Sequence, residues 1–504
     1  MNNNYKLDQG ISEWDIVMPE AVGVTSKAVI DFLDELDYED LCMHGFVMVK
    51  DRKVFSEGYY TPFHEGFQHR MYSVSKSFTS VAIGLLIEEG KLSLDDKIYD
   101  YFSDKLTGEE VHPYIKLTTI RDMLCMATAH KSTTYNQVKS DDWVKTFFTV
   151  SPVRYPGTSF VYDTSSTHVL SALVEKLSNM SLFEYLKSKV LNEIGFSRNS
   201  KWLTCPMGIC RGGGGLICTL RDLVKFAYVC MNDGQYGGRQ LIPRDFIRAA
   251  TKKQIDTSLR TVIEEQQGYG YKFWRCRNNG FMLYGLGGQM AVCLPDFNFI
   301  FAVVGFNHAS PANVQSIFSA LWHNILPILK KKHQDMIAEE PETIQKLADR
   351  IARLKVKSVE GVMVSEIIPF ISGNTYSFPS NFMGLKECSF RFNLGEEKGT
   401  FSFTKEKGTY EISFGMGNME VCKFPETDFN CNTSAAWVET NKLYMRTYVL
   451  DDCFADIKMT ATFIEDKITI AMKKTSESMM FEQYQGLVSG ILKQPSSFKD
   501  KFEI

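Results

Sequence analysis

The sequence predicts a chain of two units, an α+β domain over residues 1–335 and an antiparallel β domain over residues 361–504, with a helical linker at 336–360. Three observations predict this. Helical and strand patterns alternate through the first two thirds of the chain, and strand patterns separated by turn residues fill the last third. A chain of 504 residues also exceeds what one hydrophobic core usually supports.

In the first unit, "HGFVMVKDRKVFSEGYY" (His44 to Tyr60) reads as two strands around the turn "DRK". "FMLYGLGGQMAVCLPDFNFIFAVVGF" (Phe281 to Phe306) reads as a second hairpin turning at "PDFN". Helical periodicity runs through "TTIRDMLCMA", "TSSTHVLSALVEKLS" and "TLRDLVKFAYVCMNDG". Thr219 and Asp222 give the last of these a start resembling a capping box, and Gly234 follows its end. Strands at both ends of a segment with helices between them predict a sheet that pairs chain-distant strands. The charged stretch from Lys330 to Val356 is helical in pattern. Beyond it "CSFRFNL", "GTFSFTK", "TYEISFG", "KLYMRTYVL", "DIKMTATF" and "KITIAMKK" alternate as strands of a sandwich or barrel.

Composition excludes several function classes. Lys and Arg (56) nearly balance Asp and Glu (60), so nothing in the charge suggests nucleic acid or an anionic membrane as partner. The twelve cysteines are scattered without CxxC spacing, which reads as free thiols in a reducing compartment. The nine histidines form no HExxH, so no metal is expected. The longest apolar run, Phe297 to Phe306, is half the length that spans a bilayer, and the first residues carry no secretory pattern. A cytoplasmic location is the expectation.

The chemistry gathers in "MYSVSKSFTSVAIGLLIEEGKLSLDD" (Met71 to Asp96). From Val74 the apolar residues Val74, Phe78, Val81, Ala82, Leu85 and Leu86 fall on one helical face, and Ile83 and Ile87 make the opposite face apolar too. The helix is therefore expected to be buried nearly all round, with Gly90 marking its end. A lysine buried in the first turn loses charge through desolvation, which makes its amine a base near neutral pH. Ser73 and Lys76 share a helical face, so the amine reaches the hydroxyl at the positive end of the helix. The pair supplies a nucleophile and the group that activates it. S-x-x-K also occurs at Ser402 to Lys405 and Ser496 to Lys499; the first lies in a strand pattern and the second in a polar tail, so both are read as chance matches.

"SVSKSFTSVAIGLLIEEGKLSLDDKIYDYF" resembles the nucleophile helix of the serine β-lactamase and penicillin-binding-protein superfamily, in its class C-like branch of esterases, D-aminopeptidases and amide hydrolases. "IKLTTIRDMLCMATAH", "RYPGTSFVYDTSSTHVLSALVEKL", "RGGGGLICTLRDLVKFAYVCMNDGQYGGRQLI" and "GYGYKFWRCRNNGFMLYGLGGQMAVCLPD" follow in that family's order, over about residues 15–330. The resemblance implies a β-lactamase/transpeptidase-like antiparallel sheet flanked by helices, with an all-helical subdomain. It also implies that Tyr162 takes the tyrosine of a Tyr-x-Asn element and shares proton transfer with Lys76, while Thr164 replaces the asparagine. Leu286, Gly287 and Gly288 stand at the Lys/His-x-Gly element, and the amide of Gln289 is expected to join that of Ser73 as an oxyanion hole. Leu286 carries no charge, which counts against β-lactamase and carboxypeptidase activity.

"RGGGG" (Arg211 to Gly215) lacks the Lys-Ser/Thr of a phosphate loop and reads as a glycine-rich turn. Tyr269, Tyr271 and Trp274 line a cleft or fill the core. His130 reads as solvated or structural. The expectation is a serine hydrolase acting on an ester or amide of a small molecule or short peptide, with no cofactor. The alternatives are a β-lactamase or D-Ala peptidase, and a sensor that is acylated without turnover. The β unit walls the cleft, restricts substrate or forms a contact between identical subunits.

Overall fold

A computed structural model describes residues 14–39, 41–307, 311–331, 340–451, 454–476 and 479–493. Two compact units divide the chain, Met1–Lys355 and Val356–Ile504.

The first unit is built on a six-stranded antiparallel sheet. Its strands are β1 (Met43–Lys50), β2 (Lys53–Tyr59), β3 (Trp274–Cys276), β4 (Gly280–Gly285), β5 (Gln289–Leu294) and β6 (Phe299–Gly305), in the order β2-β1-β6-β5-β4-β3. The expected hairpin turns are present: Asp51 and Arg52 adopt left-handed φ of 52° and 63°, and Asn298 closes the "PDFN" turn at φ 48°. The pairing of chain-distant strands is present as well, with Phe46 opposite Val303.

Four of the unit's longer helices are α1 (Ser26–Tyr38), α2 (Ser75–Glu88), α3 (Thr164–Ser178) and α4 (Leu220–Met231). β5 and β6 are buried along their whole length, which requires cover on both faces. On one face Phe32 of α1 meets Phe301 of β6 with ring centres 5.4 Å apart. The alternate residues Ile300, Ala302 and Val304 join the large cluster that contains α2 and α4. Helix α4 starts at the capping box of Thr219 and Asp222 that its sequence indicated.

Ser75 to Leu86 of α2 are all buried, as its two apolar faces predicted. The polar residues among them are satisfied by neighbouring backbone. Ser75 Oγ accepts from Leu216 N, and the hydroxyls of Ser77, Thr79 and Ser80 donate to the carbonyls of Lys272, Gly212 and Tyr271. A helix opening "SKSFTS" can therefore run through a core without orphaned hydroxyls. Phe78 stacks on Phe226 of α4 at 3.6 Å, and Gly84 leaves room for Phe246.

Helix Pro341–Ala352 lies in the charged stretch and belongs to the first unit; residues 332–339 of that stretch fall outside the described residues. The second unit resolves the choice between sandwich and barrel. Strand Gly408–Met416 pairs in parallel with Phe429–Glu439 through Gly415–Ser434 and Met416–Ala435, so nine strands close into a ring. Phe390, Phe401, Phe414, Trp437 and Phe463 are buried within this unit. Among the described residues, no helix is long and apolar enough to cross a membrane.

A methyl group added at Gly84 would lie 2.3 Å from Phe246 Cδ1. Gly84→Ala is expected to destabilise the first unit by about 1–3 kcal/mol, read as an earlier thermal unfolding transition; an unchanged transition would refute this packing.

Candidate active site

Tyr72–Val74 form a single 3-10 turn that leads into α2. Tyr72 sits at φ 48°, a left-handed conformation that a tyrosine keeps only under constraint. The constraint is visible on both sides. Met71 N donates to Leu216 O at 2.8 Å, and a Cβ on Gly285, at the end of β4, would stand 2.5 Å from Met71 O. Glycine at 285 thus lets the sheet press against the turn that carries Ser73.

Lys76 is 1% exposed. Its Nζ lies 2.9 Å from Ser73 Oγ, donates to Gly213 O at 2.6 Å, and stands 4.9 Å from the centre of the Tyr162 ring. Burial pushes the amine's pKa well below the usual lysine value, the nearby Lys272 cation pushes the same way, and Asp163 opposes both. The Tyr162 phenol faces the same pocket as Ser73. Burial raises its pKa well above that of a free phenol, so it stays protonated, although the Ser73 hydroxyl acts to lower it. Ser73 Oγ thus lies beside an amine and a phenol whose charged forms burial disfavours.

Tyr162 is held by the start of α3. Asp163 caps that helix, accepting from Ser165 N at 2.9 Å and Thr128 Oγ1 at 3.0 Å, while Val161 N donates to Met126 O at 2.7 Å. The Tyr162 ring stacks on Trp274 at 5.9 Å. Thr164 is the first residue of α3, its N–H bound to Thr133 Oγ1.

Leu286–Gly288 make a tight turn between β4 and β5 in which Gly287 and Gly288 adopt left-handed φ of 76° and 92°. Asn307 N donates to Gly287 O at 2.9 Å. The Gln289 side chain donates to Leu286 O and Gly305 O and accepts from Gly305 N, which ties the turn to β6. A pocket of about 320 Å³ opens on Ser73, Tyr162, Trp274, Tyr284, Leu286 and Gly287. Thr164, Gly288 and Gln289 are not among its lining residues. Arg260 and Glu265 also line it, paired at 2.7 Å.

The "RGGGG" turn has a role its pattern did not indicate. Gly213 supplies the carbonyl that holds Lys76, and a Cβ there would lie 2.3 Å from Thr164 Cγ2; Gly212 likewise faces Ser171 Cβ at 2.7 Å. Bare backbone in this turn is what lets α2 and α3 approach. His130 is structural: it is buried, with Nε2 2.8 Å from Phe147 O. Trp274 lines the pocket, whereas Tyr269 and Tyr271 are buried outside its wall. Of the two chance matches, Ser402 is bound to Glu411 while Lys405 pairs with Glu426; Ser496 to Lys499 lie outside the described residues. Sequence reasoning missed Gly213, Lys272, Arg260 and Glu265. Lys272 carried a usable signal, a lysine within the aromatic run "GYGYKFW".

Ser73 Oγ and the amine of the buried Lys76 stand 2.9 Å apart beside the end of β4, in the S-x-x-K spacing. The chain belongs to the Beta-lactamase family, whose model matches residues 44–313. A curated relative, 6-aminohexanoate-dimer hydrolase of Paenarthrobacter ureafaciens, is 22% identical over 290 residues, covering 53% of this chain and 74% of the relative. Among solved structures, a Bacillus anthracis protein provisionally named 6-aminohexanoate-dimer hydrolase is 20% identical and aligns with a TM-score of 0.50 over 59% of this chain and 83% of its own. The octameric penicillin-binding protein homologue of Pyrococcus abyssi is 16% identical, with a TM-score of 0.48 over 92% of this chain and 99% of its own.

Gly213→Ala would drive a methyl into Thr164 Cγ2 and to within 3.4 Å of Lys76 Nζ. It is expected to lower stability by about 1–3 kcal/mol, and adding Thr164→Ser, which deletes the opposing methyl, should restore part of that loss. Thermal unfolding of the single and double variants checks both; no recovery in the double variant would contradict this packing.

Proposed function

We propose that the protein is a serine hydrolase that cleaves an ester or amide bond of a small molecule or short peptide through a covalent acyl-enzyme on Ser73. The observation that carries this reading is the 2.9 Å approach of Ser73 Oγ to an amine whose charge burial disfavours. Lys76 takes the hydroxyl proton as Oγ bonds to the carbonyl carbon. The carbonyl oxygen, now an oxyanion, lies against the amides of Ser73 and Gln289. Collapse of the tetrahedral adduct breaks the bond to the leaving group, which leaves with a proton passed through Lys76 and the Tyr162 phenol. Water then attacks the acyl carbon by the reverse route and restores Ser73.

Two features bear on substrate. Leu286 presents no charge to the pocket, and the Arg260 guanidinium is engaged by Glu265, which together favour a substrate with an uncharged tail over one ending in a carboxylate. The relative named as a hydrolase of an aminohexanoate dimer supports hydrolysis as the reaction class.

Hydrolysis of a short-chain nitrophenyl ester should fall by about 10³-fold or more in Ser73→Ala and by about 10²-fold or more in Lys76→Ala and Tyr162→Phe. Intact mass should show one acyl group on the native protein and none on Ser73→Ala. Activity that survives Ser73→Ala would overturn the assignment.

The pH profile has a definite sign. Lys76 works as a base only without its proton, so kcat/KM should rise with pH on a limb well below the ordinary lysine value, then hold level until Tyr162 ionises well above pH 10. A limb at the ordinary lysine value would show that Lys76 is not desolvated in solution.

A further inference from the structure

A second lysine occupies the same core. Lys272 is 2% exposed and stands at φ 64°, a left-handed conformation that its surroundings impose. Its N–H donates to Leu124 O at 3.1 Å, its carbonyl accepts from Ser77 Oγ at 2.7 Å, and the adjacent Tyr271 carbonyl accepts from Ser80 Oγ at 2.6 Å. Helix α2, which carries Lys76, therefore pins this backbone directly. The side chain runs inward to α3, where Nζ donates to Ser166 Oγ at 2.9 Å and meets Met126 Sδ at 3.2 Å. Neither contact is a carboxylate. Ser166 Oγ in turn donates to Asp163 O, the carbonyl next to Tyr162.

We propose that Lys272 is a positioning residue for the serine–lysine pair, a second cation that ties the Tyr162–Ser166 turn to the nucleophile helix and repels a proton from Lys76. This rests on the reading of Lys76 as the base. Several other groups act on the two amines. Asp163 faces both and favours charge on each, and Cys125 does the same for Lys272. The Tyr162 ring lies against Lys76, and His130 and Arg154 face Asp163. Burial brings the Lys272 amine down to about 7, so it titrates within the working range. While Lys272 carries its proton, Lys76 holds its own less tightly, and deleting the Lys272 charge lets Lys76 regain basicity. The acid limb of the reaction then moves to higher pH.

The test is a lysine-selective 15N NMR titration, with the Lys76 resonance identified by its loss in Lys76→Met. In the native protein both amines should titrate as a coupled pair, each curve showing the other's step. The Lys76 midpoint should rise by about one unit in Lys272→Met, which keeps the chain length, and in Lys272→Gly, which suits the left-handed backbone. Lys272→Arg, which keeps the charge, should hold the native midpoint. The acid limb of kcat/KM for a nitrophenyl ester should move with the NMR midpoint in each variant, a change that loss of packing alone would not produce. An unchanged Lys76 midpoint in a folded Met or Gly variant overturns the proposal, as do independent single-step curves in the native protein. Because the titration needs no turnover, this result is separate from the fate of the hydrolase reading, which fails on activity in Ser73→Ala.

Discussion

The site depends on taking one amine out of water. A lysine in solvent is a cation and cannot accept a proton at neutral pH. Here Lys76 donates to the neutral carbonyl of Gly213 instead of a carboxylate that would hold the proton in place. The helix and the Tyr162 ring serve that exclusion, while Asp163 acts against it. Helix α2 is buried along its length, its serines and threonine are bound to backbone, and Tyr162 covers the amine with its ring. A free polar group in this shell would admit water, and a free carboxylate would restore the charge.

Close approach of backbone is the second requirement. Glycines at 212, 213 and 285 stand where a side chain would collide with α3 or with the turn before Ser73. Two lie in one loop and the third at the end of β4, far apart in sequence. Each removes a Cβ at the point where another element must touch the nucleophile helix, so the helix is gripped by bare chain on several sides. The left-handed Tyr72 shows how firmly: its backbone is held off its preferred region at the residue before the nucleophile.

Much of this was legible in the chain itself. Ser73 and Lys76 stood out because their spacing falls on a helix apolar on both faces, and the two hairpins were announced by their turn residues. Pairing of β1 with β6 followed from strands lying at both ends of the unit. What stayed hidden depends on contacts that no local pattern encodes. Gly213 meets Lys76 across 137 residues, so its carbonyl could not be distinguished from any other in a glycine-rich turn. Lys272 adopts a left-handed backbone that periodicity does not register. Arg260 and Glu265 lie in and beside a loop without repeating pattern, and meet only because a short helical turn brings them round. The barrel closes through two residue pairs, Gly415–Ser434 and Met416–Ala435, too few to mark the alternation of either strand.

The pairing of β1 with β6 also orders events in time. Met43–Lys50 belongs in the middle of the sheet, yet its partner Phe299–Gly305 leaves the ribosome only after nearly the whole first unit has been made. Until that strand arrives the sheet has no centre to cover the helix that carries Lys76, and an amine left in water is an ordinary ammonium ion. The buried amine is therefore one of the last features of the unit to form, made only when the strand that completes the sheet is in hand.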